Sequence, residues 1–500
     1  MISKVYSSIP YGYEGSIVEV ESTITRGLPG FSIVGMADKT INESRERVKS
    51  SIMNSKFSFP DKKITVNLAP AGLPKDGSFL DLPIALSILA SSNQLQQTEL
   101  NGKIFVGELS LDGKLRPVKG IINIVEAAKK SGFKEAYIPK QNFHQASLIK
   151  NIKIIGVDNL QQLFLHLKGE TTILPPENVV KKAQTDSDGP LIDHIRGQAL
   201  AKRAIIIAIA GHHNLLISGP PGAGKTLLAK AAANLLPDLS EEEQISITKI
   251  HSLANFSNDI ITKRPFRSPH HTASAASIIG GGANALPGEI SLAHHGVLFL
   301  DELPEYPRSV LESLRQPLED KKISISRANR KTTYPADFML IATMNPCPCG
   351  YAGDPTHECS CTSTQIENYN KKISGPLLDR IDMNISVQKV DNADLAKPSP
   401  ESNTEHSVVK NKIKDAIERQ HTRYKKGDFF NSSLSSHQVS SLLTLSKSAE
   451  QLLQSASEKL NLSARSYFKI IKVAQTIADL DQSDIITDKH LSEALSFRKR

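Results

Sequence analysis

Apolar positions along the chain fall into three regimes. In the first, short runs alternate apolar and polar residues at period two. Residues 16–20, 63–68 and 103–106 read as strands bounded by Gly, Pro and Asn, and 82–90 and 120–130 read as helices. In the second regime, helical periodicity alternates with brief continuous apolar runs, the pattern of a parallel sheet with crossover helices. In the third, 406–500, the spacing is helical almost throughout, with Leu443, Leu445, Leu452, Leu453 and Leu460 supplying the apolar face. Two polar stretches containing proline separate the regimes. The expected layout is an α/β chain with an α+β domain at 1–170, a linker at 171–190, a core at 191–390, a second linker at 391–405 and a helical domain at 406–500. The longest apolar run, 204–210, is far short of the ~18 residues of a membrane span, so no membrane partner is expected.

Composition adds little until charge is mapped. The chain is 39% hydrophobic and 22% charged, a balance for packed globular domains. Its net charge of +8 is uneven: 1–170 and 405–500 each carry +5, and 171–404 carries −2. Basic flanks are compatible with a nucleic-acid partner but do not specify one. The N-terminus lacks the charged-then-apolar pattern of a signal peptide, and the expected location is cytoplasmic. All four cysteines fall within 347–361, unlike a disulfide framework spread over a secreted chain.

The strongest chemical signal is Gly219, Pro220, Pro221, Gly222, Ala223, Gly224, Lys225 and Thr226, placed between an apolar run and a helical one. Strand, glycine-rich loop and helix form a phosphate cradle. Backbone N–H groups and the helix dipole face the phosphates, Lys225 reaches the terminal ones, and Thr226 ligates Mg²⁺. The run Val297, Leu298, Phe299, Leu300 is followed by Asp301 and Glu302. A buried strand ending in two carboxylates suits a Mg²⁺ ligand, Asp301, and a general base for the attacking water, Glu302. Another apolar strand, 338–344, ends at Asn345, an amide able to align that water. Arg380, in Leu377-Leu378-Asp379-Arg380-Ile381-Asp382, suits an arginine finger inserted into a neighbouring subunit's site; its alternative is a surface pairing with Asp379 or Asp382.

These motifs, with Phe266-Arg267-Ser268-Pro269-His270-His271-Thr272, the run 288–302 and the Asn345-Pro346-Cys347-Pro348-Cys349-Gly350 block, resemble the YifB/ComM family of magnesium-chelatase-like AAA+ ATPases. The resemblance implies an ATP-binding homo-hexamer with each site at a subunit boundary, and a second sensor arginine at Arg465. The first domain resembles a Lon-type protease domain through Pro74-Lys75-Asp76-Gly77, Gly107-Glu108-Leu109 and Tyr137-Ile138-Pro139-Lys140. Alignment on those pieces puts Phe79 at the serine position and Ile122 at the lysine position. Neither side chain does nucleophile or base chemistry, so the domain is expected to be proteolytically inert.

Cys347, Cys349, Cys359 and Cys361, in a loop at 345–362, form a set of four thiolates suited to structural Zn²⁺, with His357 as a substitute ligand; the alternative is four reduced thiols. Residues 321–334 read as a hairpin with Arg327, Arg330 and Lys331 at its tip. In related AAA+ helicases such an insertion reaches the central pore, where cations grip DNA phosphates; the alternative is a solvated edge ribbon. The glycine-rich stretch 279–284 reads as a second pore loop. The histidine pairs at 212–213, 270–271 and 294–295 read either as polar contacts at a boundary or as structural residues. Together the resemblance implies an ATP-dependent DNA motor that migrates branched recombination intermediates during natural transformation. Its partners would be single-stranded and branched DNA, with recombination proteins as possible associates. The competing readings are a magnesium-chelatase ATPase subunit and an ATP-dependent, protease-like remodeller.

Overall fold

The computed structural model describes all residues other than 1, 36–38, 76, 176–188, 255–258, 283–284, 328–329, 355–356, 391–403, 426, 428 and 499–500. Most of both expected linkers, the 283–284 part of the glycine-rich stretch, and the side chains of Arg327 and Arg330 lie outside the described residues. The chain forms two compact units, 1–183 with 240–262, and 184–239 with 263–500.

The first unit is built on a seven-stranded sheet. Its order is Gly30–Val34, Lys63–Ala69, Glu14–Thr25, Ile2–Tyr11, Lys103–Phe105, Glu135–Pro139, Lys153–Val157. The Ile2–Tyr11 and Glu14–Thr25 strands form an antiparallel hairpin closing at Tyr11↔Glu14. Part of the second strand and none of the first is visible in the apolar pattern, because Ser3, Ser7 and Ser8 on the first strand and Ser22 on the second are buried. The hydroxyls of Ser3 and Ser22 both donate to the Ser87 carbonyl, at 2.7 Å each, so they serve as core residues of the Asp81–Ser91 helix contact. At that helix's start, buried Asp81 is held by Arg47 at 2.9 Å.

Residues 240–262, which the sequence pattern places in the 191–390 core, pack with the first unit. The physical reason lies in the Glu241–Ala254 helix. Its Lys249 ammonium is nearly buried against Glu126 and sits 4.0 Å from the Tyr13 ring centroid, and Tyr13 also bonds Ser246 at 3.0 Å. Such partners are invisible to local periodicity.

The second unit holds a five-stranded sheet, ordered Phe266–Arg267, Val297–Leu300, Met339–Met344, Leu215–Ser218, Met383–Ser386, with every neighbouring pair parallel. The strand preceding the phosphate loop is thus interior, which aligns its C-terminal end with those of the acidic and sensor strands. The helices Thr404–Tyr424, Ser436–Leu442, Lys447–Lys459, Ala464–Leu480 and Asp488–Ser496 come next in the chain. They share one apolar core with the sheet, including Ile217, Ile341, Ile413, Leu453, Ile477 and Phe497. The expected apolar face needs one correction: Leu443 and Leu453 are buried, whereas Leu460 ends its helix and is 43% exposed.

Candidate functional site

Three strand ends converge on one side chain set. The glycine loop leaves Leu215–Ser218 and enters the Lys225–Leu235 helix. Gly222 and Gly224 take φ of +80° and +77° with open space where a Cβ would sit, so glycine is needed there for conformation rather than clearance. The Lys225 ammonium donates to the carbonyls of Gly219 at 2.6 Å and Pro220 at 3.1 Å, and to Asn345 Oδ1 at 2.9 Å. Burial lowers its pKa, with the Asp301 and Glu302 charges opposing. The Thr226 hydroxyl donates to Asp301 Oδ2 at 3.2 Å, bringing two hard oxygen donors together. Lys225, Thr226, Asp301 and Asn345 are therefore brought into one constellation.

Glu302 adopts φ +53°, so the chain kinks as it leaves the strand and leaves the carboxylate half-exposed. The kink is tied down by Thr343, which sequence reasoning passed over. Its hydroxyl accepts from the Glu302 backbone N–H at 3.1 Å and donates to Asp301 Oδ1. The available signal was position: Thr343 is a polar residue in an otherwise apolar strand, two residues before Asn345. His271 is the second addition, with Nδ1 3.9 Å from the Glu302 carboxylate and its ring edge-on to Tyr306 at 6.4 Å.

The other histidines divide. His212 is lowered to about 4 and His294 to about 3, both chiefly by burial. His212 stacks on Phe430 at 5.0 Å, His294 accepts the Asp337 N–H at 3.0 Å, and His213 bonds Thr476 at 2.8 Å. These are structural contacts.

Arg380 and Arg465 are brought together, but apart from the phosphate loop. They line a cavity of about 550 Å³ with Glu319, Lys469 and Lys472, and no phosphate-loop residue lines it. Arg380 pairs with Glu319 at 2.6 Å, not with Asp379 or Asp382; Asp382 instead accepts the Asn214 N–H at 3.0 Å. Arg465 reaches the same glutamate at 2.7 Å.

The four cysteine sulfurs lie within 4.8 Å of one another, with Cys347 3.3 Å from Cys349 and 3.6 Å from Cys359. A zinc tetrahedron with bonds of about 2.3 Å has sulfur separations of ~3.8 Å, so the set fits a tetrahedral metal. The Tyr351 N–H, then Cys347, lower the Cys349 thiol to about 5, while against backbone N–H donors, burial and the neighbouring sulfurs raise the Cys359 and Cys361 thiols. His357 stacks on Tyr351 at 4.9 Å and is outside the sulfur cluster. The loop also rests on the phosphate loop: a Cβ at Gly350 would meet Pro221 Cδ at 2.7 Å.

Of the hairpin, Lys322–Arg327 and Arg330–Pro335 pair antiparallel, with Arg327↔Arg330 the last pair of the register, and Lys331 is exposed. In the first unit Ile122 is fully buried, and the Ser78 hydroxyl donates to Glu108. Lys75 is also buried, its ammonium held by the carbonyls of Gly35, Pro70 and Leu73 at 2.6–3.0 Å.

Among the described residues, no helix is long and apolar enough to cross a membrane. Residues 191–395 match the family described as magnesium chelatase, subunit ChlI; residues 20–142 match subunit ChlI of Mg-chelatase, and 403–498 its C-terminal family. The chain is similar to competence protein ComM of Haemophilus influenzae, 43% identical over 99% of this chain and 97% of the relative. The YifB protein of Escherichia coli is 42% identical over the same shares. Lon protease 2 of Bacillus subtilis is 29% identical over 32% of this chain and 31% of that protein, in keeping with a partial Lon likeness. Near-complete coverage at such identity, on a chain whose phosphate loop, strand-end carboxylates and sensor amide converge, places it in the YifB/ComM family of magnesium-chelatase-like AAA+ ATPases.

Proposed function

We propose that this ATPase is a hexameric motor on DNA, using ATP hydrolysis to migrate branched recombination intermediates, as in natural transformation. The observation that carries the DNA part is the hairpin. It is inserted directly before the strand that ends at Asn345, so the element bearing Arg327, Arg330 and Lys331 is continuous with the one contacting Lys225. The likeness to a protein named for competence supports the same setting.

The loop glycines, Lys225, Thr226 and Asp301 would hold Mg²⁺-ATP, which supplies the phosphoanhydride bond to be broken. Glu302 takes the proton of the attacking water, its carboxylate half-exposed where the backbone kinks beyond the strand. Asn345 gives Lys225 an acceptor until phosphate competes for the ammonium. Arg380 and Arg465 complete the site of a neighbouring copy, which accounts for their lying together in a separate cavity. The four cysteines would hold structural Zn²⁺, which would fix the chain that leaves Asn345.

The test is ATP hydrolysis with and without branched DNA over a salt series. Replacing Arg327, Arg330 and Lys331 together by Ala should abolish stimulation and flatten the log-affinity against log-salt slope by roughly two to three units. Full stimulation with an unchanged slope would remove the hairpin as the grip. The chelatase-subunit reading is favoured by the three family descriptions alone, and it predicts turnover indifferent to DNA.

A further inference from the structure

Glu319 is the penultimate residue of the short Arg315–Asp320 helix, and two guanidinium groups converge on it. Arg380 Nη2 lies 2.6 Å from one carboxylate oxygen and Arg465 Nη2 2.7 Å from the other. Their donors exceed what one carboxylate can fill. Arg380 Nη1 turns to the Pro376 carbonyl at 2.5 Å, and its Nε is buried without a partner among the described residues. Arg465, Lys469 and Lys472 succeed one another at helical spacing on the Ala464–Leu480 helix and line the same cavity. The two lysines donate to the carbonyls of Ile381 and Ser432, at 2.7 and 3.1 Å. Asp337, Asp379 and Asp382 also line the cavity, but at Glu319 itself the guanidinium donors outnumber the carboxylate oxygens, so that corner suits an anion with more oxygens than Glu319 supplies.

Glu319 also stands at the foot of the hairpin. Two residues on, Lys321 bridges Asp337 and the Ser433 hydroxyl, at 3.0 Å each, and the hairpin strand starts at Lys322. The base of the hairpin is therefore fastened on one side to the arginine pair and on the other to the helical segment. Glu319 and Arg465 are each 42% exposed, so their ion pair is open to water and weakly held, while the Arg380 side chain is 13% exposed. Such a contact can exchange for a better anion; a fully buried one would not.

We propose that Glu319 is a positioning residue that couples the nucleotide cycle to the hairpin. Its carboxylate occupies the anion position between Arg380 and Arg465, yields it to phosphate oxygens of a nucleotide held by a second copy of this chain, and thereby releases the hairpin base. The inference rests on the ring arrangement proposed above.

The experiment compares full-length wild type, Glu319→Gln, Glu319→Asp and Arg380→Ala in ATP hydrolysis with and without branched DNA. Removing the competing carboxylate should lower KM for ATP by roughly 3–10-fold and cut the ratio of DNA-stimulated to unstimulated turnover at least about fivefold. Glu319→Asp should recover part of both. A merely structural role predicts a raised KM or a uniform loss of kcat, with the ratio preserved, and either result overturns the inference. In wild type, a slowly hydrolysed ATP analogue should speed amide hydrogen exchange over residues 315–327; unchanged exchange in the assembled protein overturns it without any variant. If Arg380→Ala hydrolyses ATP normally, the ring reading fails and this inference with it. If Arg380→Ala is inactive while Glu319→Gln matches wild type, only the coupling fails.

Discussion

Replacing Thr343 by Val tests whether the two carboxylates are held as a unit. Thr343 is fully buried between the acidic strand and the phosphate loop. Val keeps its shape and removes two hydrogen bonds: the one it donates to Asp301 and the one it accepts from the Glu302 N–H. The first is to a carboxylate, worth about 1.5–3 kcal/mol, and the second is a neutral bond worth about 0.5–1.5 kcal/mol. A total of roughly 2–4.5 kcal/mol of stabilisation is therefore lost. Asp301 retains its contact with Thr226, so its charge stays in place while its orientation loosens. If about 1.4 kcal/mol of the loss falls on Mg²⁺ binding, half-saturating Mg²⁺ rises about tenfold, and the remainder appears as lower kcat through Glu302. The assay is ATP hydrolysis against Mg²⁺ concentration, with thermal unfolding of the same preparations. Thr343→Ser, which keeps the hydroxyl, should return both constants to near wild type. Wild-type Mg²⁺ dependence and kcat in a folded Thr343→Val would refute the reasoning.

Lys225→Ala and Glu302→Gln should both abolish turnover but differ in binding. The Gln variant retains the shape of the site and should still bind ATP in an equilibrium titration, whereas loss of Lys225 removes a phosphate contact. Chelator-washed protein should retain one zinc per chain by elemental analysis; a metal content near zero with four reduced thiols would overturn the Cys347, Cys349, Cys359 and Cys361 assignment. His212 and His294 have folded pKa values of about 4 and 3, below the ordinary histidine value of 6.5. Below about pH 6.5 the unfolded chain takes up protons that these rings do not, so stability should fall by about 1.4 kcal/mol per pH unit for each, down to the folded values. Unfolding midpoints that do not change between pH 7 and pH 5 would contradict their burial as neutral rings.

The phosphate loop and the strand-end carboxylates were legible because their chemistry is local. A glycine loop between strand and helix, or two acids after four apolar residues, needs no knowledge of distant chain. Thr343 and Glu319 act through partners on other elements, and their neighbours in sequence give little hint of it. The N-terminal hairpin was half hidden for a related reason. Alternation predicts strands when polar means exposed, and Ser3, Ser7, Ser8 and Ser22 break that rule by lying inside the core, where Ser3 and Ser22 both donate to the Ser87 carbonyl. Arg380 shows the limit of local pairing arguments: two acids flank it in sequence, yet the turn directs its guanidinium to Glu319.

The first unit's use of residues 240–262 bears on how the protein is made. A ribosome releases the seven-stranded sheet long before the Glu241–Ala254 helix exists, and by then the phosphate loop at 219–226 has also emerged. Until residue 254 is synthesised, Tyr13 lacks Ser246 and Glu126 lacks the ammonium of Lys249. A fragment cut at the apparent boundary near residue 183 would carry the same vacancies permanently. The nascent first unit therefore matures only after the chain has passed through the beginning of the ATPase core.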